Sequence, residues 1–168
     1  MSDSERLRLL QGQLEDDFRF VEQCALRHSD MRTRAETSPD TEMAHMALAY
    51  LIHNLYTAFE SYFLRVAKHF ENNLDDASWH RELIDRMRIE VPGIRPAVVS
   101  AGIAENLDEL RRFRHRFRNI YKSHLRSDRV LEVSDIAIAV SDQFGEYHTR
   151  FLEWVQSIID AEGQDYSG

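Results

Sequence analysis

The stretch from Ser38 to about Asn72 constrains the fold more than any other. TSPD opens it, with Ser38 placed to cap a helix and Pro39 suited to a first helical turn. Met43, Met46, Tyr50, Leu51, Leu55, Phe59, Tyr62, Phe63, Val66 and Phe70 then recur at helical spacing on nearly every side of the axis. A helix that is apolar all round is usually covered all round. This one is expected at the centre of a bundle, with other helices packed about it.

The flanking segments supply those helices. Ser2 and Glu5 have the spacing of a capping box, and Leu7, Leu10, Leu14, Phe18, Val21 and Cys24 follow at helical intervals to about Arg32. Trp79 to Arg88 reads as a short helix stopped by VPGIRP, because Pro92, Gly93 and Pro96 do not continue one. A fourth helix starts between Ser100 and Ala104, with Ile103, Leu107, Leu110, Phe113, Phe117 and Ile120 on one stripe. A fifth runs from about Asp128 to Glu162, with Val133, Ile136, Val140, Phe144, Phe151, Val155 and Ile158 turned inward and Gly163 as its stop. The expected architecture is an all-α, antiparallel bundle of about five helices. It forms a single domain over 1–168, with 1–38 as N-terminal helix and link and 163–168 as a frayed tail.

Composition agrees. Six glycines and three prolines in 168 residues are too few for the turns of a β-sandwich. The lone Cys24 cannot make an internal disulfide and suits a reducing compartment. No apolar run reaches membrane-span length, and MSDSERLRLL lacks the apolar core of a signal peptide. The expected location is cytoplasmic. No close His or Cys cluster has metal-ligand spacing, and no Gly-rich phosphate loop is present, so neither a metal nor a cofactor is expected.

Charge is the second strong feature. The chain carries net −8, yet Arg111 to Arg129 holds eight Arg or Lys against one acid, Asp128. At about 100° per residue, Arg111, His115, Arg118 and Lys122 form a polar stripe, while Arg114 and Tyr121 share the edge of the apolar stripe. Basic residues near a helix C-terminus favour its dipole, and such faces are often simply solvated. Here, though, interspersed acids are missing, and an arginine at a half-buried edge needs a partner. An electropositive strip carrying His and Tyr suits a phosphate backbone.

The pattern of Arg114, His115, Asn119 and Tyr121 resembles the signature of HEPN-domain ribonucleases, in particular the HepT-like toxins. LDELRRFRHRFRNIY, HNLYTAFESYF, SWHRELIDRM and VPGIRPAVVS resemble segments of one HepT-like branch in the same order, over roughly 40–151. The resemblance implies an all-α homodimer that cuts RNA without a metal as the toxin of a toxin–antitoxin pair. It implies that Arg114 stabilises charge at the scissile phosphate and that His115 helps orient the site. It also implies that Tyr121 stands where a nucleotidyltransferase antitoxin attaches adenylyl groups. The guanidinium can hold a phosphate bidentately.

One departure matters. Asn119 stands where the family has histidine, and an amide cannot titrate near neutral pH. His115 may supply the imidazole; a shifted frame from Arg118 would use His124; or the chain is a binding-only relative. Arg114 and Asn119, five residues apart, point about 140° apart on a straight helix. They can share a site only if the helix bends or ends there, or if the site is shared across a dimer. Glu60, an acid in an apolar helix, is expected either to pair with a motif arginine or to face solvent. His53 and Asn54 read as caps for buried polar groups. Arg111, Arg118, Lys122 and His124 are the expected supporting or RNA-contacting residues, and RNA and a cognate antitoxin are the expected partners.

Overall fold

The structure, a computed structural model, describes residues 1–71, 79–119 and 124–165. Five helices follow in order: α1 (Asp3–Ala35), α2 (Thr41–Phe70), α3 (Trp79–Met87), α4 (Ala101–Arg118) and α5 (Ser127–Asp165). The molecule is an all-α bundle, and α2 touches each of the other four helices. Its central turns explain why: Leu48, Ile52, Leu55, Tyr56, Phe59, Tyr62, Phe63 and Val66 are all buried. These residues point to different sides of one axis, so they can be covered only by neighbours on different sides.

The first turns of α2 differ from expectation. Met43, Met46 and Tyr50 are 67%, 55% and 54% exposed. Apolar residues all round a helix are buried all round only where neighbours run alongside. The α2 start also differs in detail. Asp40, not Ser38, is the N-cap, its carboxylate accepting from the Met43 backbone N–H at 3.0 Å. Pro39 therefore lies before the helix, and Ser38 donates to the Asp40 carbonyl instead.

The α1 capping box forms as its spacing requires, with Ser2 Oγ accepting from Glu5 N–H and the Glu5 carboxylate accepting from Ser2 N–H. Phe144 of α5 ties α1, α2 and α5 together. Its ring lies 5.0 Å from Phe59, 5.1 Å from Tyr62, 5.8 Å from Phe63 and 6.0 Å from Phe18. Further along α5, Ile159 rather than Ile158 is fully buried. The helix passes through Gly163 to Asp165, so that glycine is not its stop. An exposed glycine near a helix end is tolerated at about 1 kcal/mol relative to alanine.

VPGIRP forms a tight, hydrogen-bonded turn that closes α3. Val91 and Arg95 bridge, Gly93 takes φ 76°, and the Val98 and Val99 N–H groups donate to the Met87 carbonyl. The Arg95 side chain is wholly buried. It donates to Glu71 and to the carbonyls of Arg86, Ile89 and Pro96, while Arg86 adds a second donor to Glu71. A buried guanidinium with its donors satisfied in this way fixes where the chain turns into α4. Ser100 then caps α4 through the Ile103 N–H at 3.3 Å.

Candidate active site at the seam between α2 and α4

Helix α4 turns Ile103, Leu107, Leu110 and Phe113 into the core. Arg114 follows Phe113 and so emerges at the edge of that stripe, facing α2. Its Nη2 lies 3.7 Å from Glu60 Oε1, and its guanidinium carbon lies 5.7 Å from the centre of the Tyr56 ring. The two side chains of the ion pair are only 15% and 8% exposed. Glu60 therefore meets a motif arginine and does not face solvent. Arg114 Nε is buried without a hydrogen-bond partner, so part of the fork is still unused.

Two more α2 residues complete the seam. His53, Tyr56 and Glu60 are spaced three and four residues apart and so share one face of α2. The Tyr56 hydroxyl is buried and unpartnered, and burial holds its phenol far above the usual range, with Glu60 adding to the effect. His53 packs its ring 6.2 Å from that of Phe117, and its Nδ1 is also buried and unpartnered. Burial lowers its pKa first, and the positive charges of Arg114 and Arg118 lower it further, against a weaker opposing pull from Glu60. His53 is thus a less basic imidazole than a free one, within the field of two guanidinium groups. Buried polar atoms are nearly always satisfied in proteins. His53 Nδ1, Tyr56 Oη, Arg114 Nε and His45 Nδ1 are all unsatisfied, and all four lie on α2 or α4.

The other expected residues are more dispersed. His115, Arg116, Arg118 and Asn119 are exposed. The helix ends at Asn119, which caps it: its backbone N–H donates to the Arg116 and Phe117 carbonyls, and its side-chain amide donates to the His115 carbonyl at 2.9 Å. The Asn119 amide is therefore spent on its own helix. His124 sits apart from the Arg114 cluster, on the rim of a groove of about 590 Å³ that Phe117, Leu125, Met46 and His45 also line. Tyr121 and Lys122 lie outside the described residues.

The basic run is less bare of acids than expected. Asp108 and Glu109, one turn earlier, pair with Arg111 and Arg112, and Glu109 also reaches Arg129. Arg111 is therefore engaged with Asp108 at 2.7 Å. Arg116 and Arg118 form no ion pair among the described residues. Also among the described residues, no three His, Cys, Asp or Glu side chains are placed to hold a metal ion, and no helix is long and apolar enough to cross a membrane.

Sequence reasoning placed His53 among the capping groups and passed over Tyr56. The three- and four-residue steps from His53 to Tyr56 to Glu60 were the available signal. They mark one polar face interrupting an apolar helix.

Among the described residues the chain is an all-α bundle with a largely buried arginine held between two of its helices. The family model described as HepT-like protein matches residues 47–155, which is more than half of the chain and contains both sides of this seam. The chain belongs to the HepT-like family. No curated protein and no solved structure matches it.

Proposed function

We propose that this chain is a HepT-like toxin of a toxin–antitoxin pair, an endoribonuclease that works without a metal and cleaves RNA by attack of a 2′-hydroxyl on the adjoining phosphate. The observation that carries this reading is Arg114: a guanidinium held by Glu60 and Tyr56 at the α2–α4 seam, with part of its fork unused. Such a group can bind a phosphate and stabilise the charge that grows in the transition state. Arg111, Arg118, Lys122 and His124 extend the electropositive strip along which RNA lies. His115 and Asn119 complete the site at the end of α4. Tyr121 is the hydroxyl at which a nucleotidyltransferase antitoxin acts. The toxin works as a homodimer.

Asn119 supports a second reading, a binding module of the same fold that holds RNA, a nucleotide or a protein partner without cutting. Its amide cannot act as a base and already serves as a helix cap. One assay separates the two readings: incubation of a single-stranded RNA pool with purified protein in EDTA, beside Arg114→Ala, His115→Ala, His124→Ala and Asn119→His. Cleavage by wild type and its loss in Arg114→Ala are expected. An inert wild type with an active Asn119→His variant means that the site has lost its base. If every variant is inert, the enzyme reading is refuted and the binding module stands.

A further inference from the structure

Resting on the ribonuclease reading, the remaining question is which group takes the proton. Asn119 cannot. The Tyr56 phenol, held protonated by burial, can donate a hydrogen bond but does not take up a proton near neutral pH. His115 is exposed on the surface of α4. His124 lines a groove with His45, Met46 and Phe117. His53 is the imidazole that shares one face of α2 with Tyr56 and with Glu60, the partner of Arg114, and it packs its ring 6.2 Å from Phe117 of α4.

We propose that the imidazole serving this site is that of His53, supplied by α2, and that it takes the proton of the 2′-hydroxyl when a phosphodiester lies against Arg114 and Arg118. The charged groups facing His53 are Arg114 and Arg118 from α4 and Glu60 from its own helix. Burial, with the two arginines adding to it, lowers the basicity of the ring and so favours the neutral form a general base needs. A phosphate between them offsets their charge, so the ring becomes more basic as the substrate arrives. The 2′-oxygen then bonds to phosphorus while its proton passes to the His53 ring. The bond from phosphorus to the 5′-oxygen breaks, and that oxygen takes a proton from water. The products are a 2′,3′-cyclic phosphate and a 5′-hydroxyl, and His53 returns its proton to solvent. The motif position that family members fill with histidine is thereby free to hold Asn119 as a helix cap.

The arrangement also explains the unsatisfied Nδ1 of His53. A ring packed against Phe117 with a buried, unpaired nitrogen is costly as pure structure. It is useful if the ring must change protonation state during each turnover.

Two measurements test this. In the first, histidine ring signals of the wild-type protein are followed by NMR across pH, alone and with a fully 2′-deoxy single-stranded oligonucleotide, which binds but cannot react. His53→Gln assigns the signal. His53 is expected to titrate below a free imidazole and to move to higher pH when the oligonucleotide is added. A titration that the oligonucleotide leaves unmoved overturns the proposal. In the second, cleavage rates in EDTA are compared for wild type, His53→Gln, Arg118→Ala and His69→Gln, the last at the far end of α2. His53→Gln is expected to lose about 100-fold or more, and His69→Gln to cut at the wild-type rate. In Arg118→Ala the alkaline-rising limb of the pH–rate profile is expected at higher pH, because one of the charges that lowers His53 is gone. His53→Gln cutting as well as wild type refutes the role of His53 and leaves the ribonuclease reading standing. A wild type that cuts no RNA refutes both.

Discussion

At the scale of single residues, Arg114 does two jobs that one cation cannot share with another. Its planar fork meets Glu60 on one side and lies over the Tyr56 ring on another. Lysine keeps the charge but not the fork or the stacking plane. Arg114→Lys is therefore expected to lower RNA cleavage by roughly 10-fold to 100-fold with little change in the urea midpoint, both measured on the same preparation. Arg95 is the structural counterpart, a wholly buried arginine whose donors go to Glu71 and three carbonyls. Removing it leaves the buried Glu71 carboxylate with Arg86 as its remaining cation. Arg95→Met is expected to cost about 3 to 5 kcal/mol in urea unfolding. The double change Arg95→Met with Glu71→Leu is expected to recover part of that loss.

At the scale of elements, the helices are held by a few shared side chains. Phe144 joins α5 to both α1 and α2, and Phe144→Ala is expected to destabilise the bundle by about 3 to 5 kcal/mol in thermal or urea unfolding. The α1–α5 contact also carries a pH dependence. His28 of α1 is buried and bonded to Ser134 of α5 at 2.8 Å. Burial, with help from Arg32 and against Asp135, pushes its pKa down from 6.5 to about 4. The folded state therefore holds its proton more weakly than the unfolded chain. The unfolded chain binds more protons between pH 6.5 and 4, so stability is full above that window and falls as the pH drops through it. A loss of about 2 kcal/mol by pH 5 is expected from this group. Urea titrations at pH 7 and pH 5 should show a smaller loss in His28→Gln than in wild type.

At the scale of the whole molecule, Arg116 and Arg118 stand exposed and without an ion pair among the described residues, at the end of α4 in a chain of net −8. On the proposed function, these two cations would help steer RNA to the end of α4. If about three cations meet phosphates, the logarithm of the affinity for single-stranded RNA should fall with the logarithm of salt at a slope near −2. Arg116→Ala is expected to make that slope shallower by about 0.7, as read from filter-binding or anisotropy titrations at several salt concentrations. A homodimer is expected by sedimentation at micromolar concentration, and a strict monomer there contradicts that part of the functional reading.

Much of this was legible from the order of residues. The 3.6-residue spacing of apolar positions marks five helices, because burying one face of a helix requires that period whatever lies opposite. The central place of α2 followed from apolar residues on all its sides, and the basic run announced itself by charge alone. The sequence also held the α1 capping box, a purely local device. Tertiary structure decided the rest, for the reason that burial is a property of neighbours. Met43, Met46 and Tyr50 are as apolar as Leu55 and Phe59, yet they lie in the open because nothing described packs against them. Asp108 and Glu109 stand outside the basic run in sequence and among its arginines in space. His53 lies 61 residues from Arg114 along the chain, and its local spacing with Tyr56 and Glu60 does not say which residues of another helix that face will meet. Packing α2 against α4 put it beside two guanidinium groups, where their field and the loss of water set its proton affinity.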